Sequence, residues 1–284
     1  MKKLLVLTDF SAIATHAAEY AYFLAEHLKA NMTLCNAVIV AADIPLAGLA
    51  SWPLEESDTF VQNSDEEIQL LKKHLEASDR GGNYQPIISL INDSGTLTNV
   101  LNDTLEQSQI DLVIMGAHGG DGVHTFLFDA RCRNMIESIH KPLILIPSKA
   151  KFAPIKRISF ATDFKNPDDD LKFIYTLISL AKQLNAEILL TRVYDGSHQS
   201  PEFEQWIKNF LVELSDIANY PNIYYRMVKS AGTETGLDWL CEHGQVDLLA
   251  MVHRQRGFFN NLLHESDTKK KAGEVSIPLL VFQD

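Results

Sequence analysis

The chain has 284 residues, a hydrophobic content of 46% and a formal net charge of -12 at pH 7. This composition is typical of a globular protein, and the length suits two hydrophobic cores of ordinary size. Because nucleic acids and anionic lipids are bound through basic surfaces, the negative charge argues against both as general partners.

The apolar segments of the sequence are all shorter than the roughly 18 residues that a membrane-spanning helix needs. The first residues, Met1-Lys2-Lys3, lead directly into a strand-like pattern without a signal cleavage site, so we expect a cytoplasmic protein. Three widely spaced cysteines, Cys35, Cys132 and Cys241, indicate neither a disulfide framework nor a zinc ribbon.

The first half of the chain alternates buried strands with amphipathic helices. Residues 3–9 form an apolar run of strand length, and residues 13–28 carry alanine, leucine and phenylalanine side chains at helical spacing. The further predicted strands lie at residues 31–39, 86–91, 111–115 and 142–146, and the further helices lie at residues 65–75, 96–107 and 130–139. This order predicts an α/β fold, with a parallel sheet covered by helices on both faces.

The second half repeats the first in the same order. Thr8-Asp9-Phe10 returns as Thr162-Asp163-Phe164, and the strand that begins at Asp111 returns as a strand that begins at Asp247. The predicted strands of this half lie at residues 157–163, 187–193, 223–228, 247–251 and 278–282, and its helices lie at residues 168–184, 202–217, 235–243 and 266–273. We therefore predict two tandem domains, residues 1–150 and 151–284, with a linker at residues 147–156.

The two copies differ in length at one place. The first copy carries roughly twenty additional residues between its second and third strands, within residues 41–64. This segment contains Pro45, Gly48, Pro53 and several acidic residues, so it predicts an exposed loop that leads into a helix.

Two polar features of the first copy follow predicted strands. Thr8 and Asp9 end the first strand, and a glycine-rich stretch at residues 116–122 follows the fourth. Parallel sheets bind ligands beyond the carboxyl ends of their strands, where the strand order reverses. There Asp9 would accept hydrogen bonds from a ligand, and the glycines would let backbone amides approach a phosphate. The alternative is structural: Asp9 caps the following helix and the glycines turn the chain.

In their order and position, these motifs resemble those of the universal stress protein family. The resemblance covers the whole chain as two tandem domains, and it rests on the Thr-Asp-Phe strand end, the strand at 111–116, the glycine-rich loop and the strand at 141–146. It implies a fold like that of the adenine-nucleotide hydrolases, with five parallel strands in the order 3-2-1-4-5 in each domain. Family members pair through strand five, so the two domains are expected to form this dimer within one chain.

The resemblance also implies a nucleotide site in domain one. ATP-binding members carry Gly-x-x-Gly, nine residues, and then Gly followed by Ser or Thr. Gly116 and Gly119 match the first part, whereas Asp129 and Ala130 replace the closing pair. A carboxylate at this helix start would repel a phosphate unless a magnesium ion bridged the two groups. The residues expected to bind the ligand are Thr8, Asp9, Val38, Gly116, His118, Gly119, Asp129 and Ala130.

The second copy departs further from this pattern. Val252 and Gln255 stand at the positions of the two glycines, and Glu265 replaces the closing glycine. Arg254 and Arg256 of the same loop would suit a secondary anion site, although arginines near an exposed turn are commonly only solvated. The pattern predicts a structural domain that has lost the nucleotide pocket.

Three functional hypotheses follow. The first is a non-catalytic stress-response scaffold or small-ligand sensor with a degenerate nucleotide pocket. The second is binding of ATP or another adenine nucleotide in domain one, with slow hydrolysis. The third is a metal-dependent enzyme that uses His118, Asp121 and His124, although the surrounding glycines favour a loop over the helix that would align them. Because no nucleophile or base stands out in the sequence, we prefer the first, without enzyme activity and without a resident cofactor or metal.

Overall fold

The computed structural model describes residues 2–38, 54–78, 84–117, 130–165, 167–196, 200–254 and 276–284, and of residues 54–60 and 130 it describes the backbone alone. The chain divides into two compact units. We call Lys2–Gly116 the first unit and Ala117–Asp284 the second unit.

The first unit alternates strands and helices as the sequence predicts. Its strands run parallel in the order β3-β2-β1-β4, so that Leu5 of β1 lies opposite Thr33 of β2 on one side and Val113 of β4 on the other. The elements in chain order are β1 (Lys3–Leu7), α1 (Ala12–Leu28), β2 (Asn31–Val38), α2 (Leu54–Ala77), β3 (Ile88–Ser94), α3 (Leu97–Gln107) and β4 (Leu112–Ala117).

Helices cover both faces of the first unit's sheet. Asn36 of β2 contacts Ser64 of α2, whereas the adjacent Cys35 contacts Thr104 of α3. Because successive side chains of a strand point to opposite faces, α2 and α3 lie on different sides of the sheet.

The second unit contains a complete five-stranded repeat and one additional strand. Its parallel strands follow the order β8-β7-β6-β9-β10, and β5 pairs antiparallel with β10, where Ile144 lies opposite Leu280. The elements are α4 (Ala130–Ser138), β5 (Leu143–Pro147), β6 (Arg157–Ala161), α5 (Pro167–Leu184), β7 (Glu187–Tyr194), α6 (Pro201–Ala218), β8 (Ile223–Lys229), α7 (Thr233–His243), β9 (Leu248–His253) and β10 (Leu279–Gln283).

Helices cover both faces here as well. Arg192 of β7 contacts Phe203 of α6, and the adjacent Val193 packs against Gly236 of α7. The predicted α/β fold with its mostly parallel sheet is therefore confirmed. The strand order 3-2-1-4-5 is complete in the second unit, and the first unit shows the part 3-2-1-4.

One predicted helix is longer in the structure, and another lies outside the described residues. The helix predicted at residues 65–75 begins much earlier, at Leu54, because the sequence after Pro53 contains neither glycine nor proline to interrupt it as far as Ala77. Much of the expected exposed loop is thus helical. The helix predicted at residues 266–273 lies outside the described residues, and the repeat boundary at residue 150 stays a prediction.

Local sequence signals set the helix ends. The hydroxyl of Ser11 accepts the N–H of Ala14 at the start of α1, and Lys29 closes that helix in a left-handed conformation, with a φ of 51°. Ser200 caps α6 in the same way, by accepting the N–H of Phe203. The caps satisfy backbone groups that have no partner inside the helix.

An aspartate caps a neighbouring strand in both units. Asp111, next to β4, accepts the backbone N–H groups of Lys2 and Lys3 at 2.6 and 3.1 Å. Asp247 does the same at the start of β6, at 2.8 and 2.9 Å. The repeated aspartate therefore has a structural role, because it supplies acceptors to strand-end amides.

Among the helices of the described residues, none is both long and apolar enough to cross a membrane.

Candidate functional site

The Thr-Asp-Phe motif of the first unit forms a turn beyond the carboxyl end of β1. The Thr8 hydroxyl accepts the N–H of Phe10 at 3.1 Å, and the Asp9 carboxylate accepts the N–H of Ser11 at 3.1 Å. Phe10 has a φ of 60°, which is unusual for a bulky residue. Thr8 is buried, whereas Asp9 is exposed.

The second unit builds the same turn beyond β6. Thr162 accepts the N–H of Phe164 at 3.0 Å, Asp163 accepts the N–H of Lys165 at 3.0 Å, and Phe164 has a φ of 57°. The repetition of Thr-Asp is thus explained by turn geometry in both units. Ser11 and not Asp9 is the N-cap of α1, so the structural role of Asp9 lies in the preceding turn, and its contact with a ligand stays a prediction.

Gly116 occupies a position at which a side chain would not fit. A Cβ atom at this residue would lie 2.8 Å from both the carbonyl oxygen and the Cγ2 atom of Ile13, in the first turn of α1. The glycine therefore lets β4 approach the helix that follows β1. This close approach lies at the point where the strand order of the unit reverses.

Four of the predicted ligand residues lie at one edge of the first unit's sheet. Thr8, Asp9, Val38 and Gly116 all stand at or just beyond the carboxyl ends of β1, β2 and β4, which are neighbouring parallel strands. The carbonyl of Val38 accepts the N–H of Gly95 at 2.9 Å, so this backbone group already serves the junction of β2 and β3.

The other predicted ligand residues belong to the segment from His118 to Ala130. His118, Gly119 and Asp129 lie outside the described residues, and Ala130 begins α4. Asp121 and His124 of the metal hypothesis also lie outside them. Within the described part of the chain, no group of three or more His, Cys, Asp or Glu residues is placed to hold a metal ion.

The corresponding edge of the second unit holds an ion-pair network. Arg254 follows β9 and contacts the carboxylate of Asp170 in α5 at 2.9 Å and that of Asp284, next to β10, at 2.8 Å. Thr162 donates a hydrogen bond to Asp170 at 2.7 Å, and Lys172 contacts Asp284 at 2.6 Å. Arg254, which the sequence offered as an anion contact, therefore contacts two carboxylates, and Arg256 lies outside the described residues.

Comparison with known proteins identifies the family. A sequence model of the universal stress protein family matches residues 1–147. The chain belongs to this family. A universal stress protein of Methanocaldococcus jannaschii is similar to it, with 24% identity over 150 residues that cover 53% of this chain and 84% of the relative.

Solved structures share the fold over nearly the whole chain. A universal stress protein from Archaeoglobus fulgidus has a TM-score of 0.65 at 11% identity, and the similarity covers 99% of this chain and 98% of that protein. A protein of unknown function from Pseudomonas aeruginosa PAO1 has a TM-score of 0.55 at 10% identity, with 100% and 92% covered. These likenesses show that the chain shares its α/β fold with both structures over nearly its whole length.

Burial affects the two carboxyl groups of the second unit's network differently. Burial of Asp170 outweighs the effect of its partners. It raises the pKa of Asp170, although the Thr162 hydrogen bond and the Arg254 charge act in the opposite direction. The hydrogen bond from Lys172, followed by the contacts of Arg254, lowers the pKa of Asp284. Asp170 is thus a buried carboxyl that depends on its partners to remain charged, whereas Asp284 is a stabilised carboxylate.

Asp170 is the residue of this universal stress protein that sequence analysis missed. It is the third aspartate of Asp168-Asp169-Asp170, a run that resembles a solvated helix start. Its spacing from Phe173, Ile174 and Leu177 follows the buried face of α5, and its side chain is only 3% exposed. A charged residue on an apolar helix stripe was therefore the available signal.

Proposed function

We propose that this universal stress protein acts without catalysis in the cytoplasm, as a stress-response scaffold or small-ligand sensor that uses the first unit. The observation that carries this proposal is the difference between the two strand-reversal points. In the first unit, Gly116 packs without a side chain against Ile13. In the second unit, Arg254 and Asp170 pair at the corresponding place.

The strand-reversal point is where an open parallel sheet binds its ligand. A guanidinium and two carboxylates that already pair there leave few hydrogen-bonding groups for a phosphate, and the carboxylates repel it. In the first unit, Gly116 packs against Ile13 and places no side chain at this edge. We therefore assign ligand binding to the first unit and a structural role to the second.

An adenine nucleotide is the second candidate, as the ligand of the first unit. The position of Thr8, Asp9 and Gly116 favours it, because these residues lie at the edge of the sheet where such a ligand would bind. Asp129 and Ala130 argue against it, because the closing pair of the family's phosphate loop is missing. A magnesium ion between Asp129 and a phosphate would offset that loss and permit slow hydrolysis.

Thermal unfolding with and without ATP and magnesium separates these candidates. A site filled at a hundred times its dissociation constant adds about 2.7 kcal/mol to the free energy of unfolding. Stabilisation of the wild type by millimolar ATP would establish the nucleotide function, and its absence would favour the scaffold.

The double substitution Asp129→Gly, Ala130→Ser tests whether the loop is the defect. It is expected to create or strengthen ATP binding in the first unit, because it removes a like charge and adds a hydroxyl donor. The matched control is Glu265→Gly in the second unit, which restores the closing glycine while Val252 and the Arg254 network remain. Equal ATP stabilisation of both variants would contradict the assignment to the first unit.

We also propose that the two repeats pair within the chain through their last strands. The antiparallel register of β5 and β10, with Leu143 opposite Val281, supports this arrangement. Hydrogen exchange of the backbone amides in both strands is expected to be slow and independent of protein concentration. Protection that disappears on dilution would instead indicate pairing between chains.

A further inference from the structure

We propose that the second unit contains a guanidinium-binding site at its strand-reversal point, and that the chain fills this site with its own Arg254. The site lies between the carboxyl ends of β6 and β9, which are neighbouring parallel strands on either side of the reversal. The chain's own arginine thus occupies the position that an external guanidinium would take.

Two carboxylates arranged around one guanidinium form the site. The Nη2 atom of Arg254 donates to Asp170 Oδ1 at 2.9 Å, and its Nε atom donates to Asp284 Oδ2 at 2.8 Å. A guanidinium presents donors in a planar fork, so it bonds both carboxylates at once, whereas an ammonium acts as a compact point charge. The geometry therefore selects a guanidinium in particular.

The surroundings fix the carboxylate of Asp170 in place. Its side chain is 3% exposed, and its Oδ2 atom accepts the hydroxyl of Thr162 at 2.7 Å. The guanidinium carbon of Arg254 lies 6.0 Å from the centre of the Phe173 ring, within range of a cation–π contact. A carboxylate so buried needs a cation beside it to stay charged, because an unpaired charge is strongly destabilising in an apolar environment.

The neighbouring charged groups are already paired with one another. Asp163 contacts Lys165 at 3.3 Å, and Lys172 contacts Asp284 at 2.6 Å while its side chain remains 61% exposed. Lys172 thus neutralises the outer carboxylate, and Arg254 is the cation seen on the inner one. This edge consequently favours a cationic guanidinium and disfavours phosphate, the opposite of a nucleotide site.

Chemical rescue of the full-length Arg254→Ala variant tests the proposal. The substitution is expected to lower the Tm by roughly 5 to 10 °C, because it leaves the buried carboxylate without a cation. Methylguanidinium chloride at roughly 10 mM is then expected to restore at least about half of that loss, by binding the folded state. This concentration is far below the molar range in which guanidinium salts unfold proteins.

Three controls accompany the rescue. Methylguanidinium should leave the Tm of the wild type unchanged, because Arg254 fills the site. It should also fail with Arg157→Ala, which removes an arginine that pairs at 3.1 Å with the half-exposed Glu187 of the same unit. Tetramethylammonium chloride at the same concentration controls for ionic strength, because it has no N–H donors.

The double substitution Asp170→Asn, Arg254→Ala removes the buried carboxylate together with its partner, and it is expected to fold and to show no rescue. If Arg254→Ala does not fold in the absence of methylguanidinium but folds in its presence, the proposal is supported. An unchanged Tm in Arg254→Ala would overturn it, as would equal methylguanidinium shifts in the variant, the wild type and the double substitution. Failure to recover folded Arg254→Ala even with methylguanidinium would also count against it.

Discussion

The two units carry side chains of different chemistry at corresponding positions of their sheets. In the first unit, Asn36 of β2 donates to Asn92 of β3 at 2.9 Å and to Ser64 of α2 at 2.8 Å. In the second unit, Arg192 occupies the same sixth position of its strand and lies 4.7 Å from the centre of the Phe203 ring in α6. The same backbone therefore accepts a polar network in one unit and a cation–π contact in the other.

The surroundings of these contacts differ in the same way. The polar network of the first unit continues from Asn92 to Asp65 at 2.6 Å. In the second unit, the Phe203 ring belongs to an aromatic cluster with ring centres 5.6 to 6.4 Å apart, which also contains Phe164, Trp206 and Tyr225. A hydrogen-bonded network requires every partner, whereas apolar packing mainly requires the right volume.

The features that both units share are contacts that fix the backbone conformation at the ends of strands. The strand-end turns of Thr8 and Thr162 are nearly identical, and so are the strand caps of Asp111 and Asp247. The repeat architecture therefore depends on a few backbone contacts, whereas the helix–sheet interfaces and the ligand edge differ between the units.

The largest predicted effect concerns the aromatic cluster. Phe164→Ala is expected to lower the free energy of unfolding by about 3 kcal/mol or more, because Phe164 is buried against Phe203, Trp206 and Tyr225. Phe10→Ala, at the same turn of the first unit, should cost roughly half as much, since Phe10 is half-buried. Urea unfolding measures both, and equal losses would contradict the difference in packing.

The next effect concerns the close approach of β4 to α1. Gly116→Ala is expected to cost about 2 kcal/mol, because the added methyl group would overlap the backbone of Ile13. Gly232→Ala is the matched control, since a Cβ atom there would meet Thr235 Oγ1 at an ordinary 3.8 Å. Thermal unfolding should show a clear loss in the first variant and a change within about 0.5 kcal/mol in the second.

A smaller effect, of the same size in both units, is predicted for the strand caps of Asp111 and Asp247. Asp111→Ala and Asp247→Ala should each cost about 1 kcal/mol, because each removes an acceptor shared by two backbone N–H groups. Guanidinium chloride unfolding of the two variants provides the measurement. A loss confined to one variant would show that the caps are not equivalent and would weaken the comparison.

The smallest predicted effect is a pH dependence of stability that comes from Asp284 in the second unit. The pKa of Asp284 is lowered from its ordinary value of 3.8, mainly by the Lys172 hydrogen bond. The Asp284 carboxylate therefore binds a proton more readily in the unfolded chain than in the folded one. Its contribution to the free energy of unfolding is present above about pH 4 and is lost as the pH falls through the lower pKa of the folded state. Asp284→Asn should reduce the acid sensitivity of Tm, and an unchanged slope would contradict the assignment.

Much of the fold was predictable because it depends on local pattern. The apolar runs and helical spacings located the described elements to within a few residues at most ends, and the exception was the start of α2 at Leu54. The segment before Asp65 is polar, and polar residues do not by themselves distinguish a solvated helix from a loop. Helix formation there depends on the absence of breakers and on packing of the following turns.

The candidate site was predictable in location but less so in chemistry. Thr8, Asp9, Val38 and Gly116 do share one sheet edge, as strand order required. Their local bonds were less evident, because a carboxylate that accepts a neighbouring N–H looks the same in sequence as one that awaits a ligand. Only the tertiary structure shows that the Asp9 carboxylate accepts the N–H of Ser11 within the turn.

The sequence by itself determined the duplicated α/β architecture, because hydrophobic periodicity and repeated motifs are properties of neighbouring residues along the chain. The tertiary structure alone decided which charged groups meet. Arg254 and Asp170 are 84 positions apart, and their pairing at 2.9 Å follows from parallel strands that bring distant segments to one edge. Their chemistry, a partly exposed guanidinium beside a buried carboxylate, separates the second unit from the first.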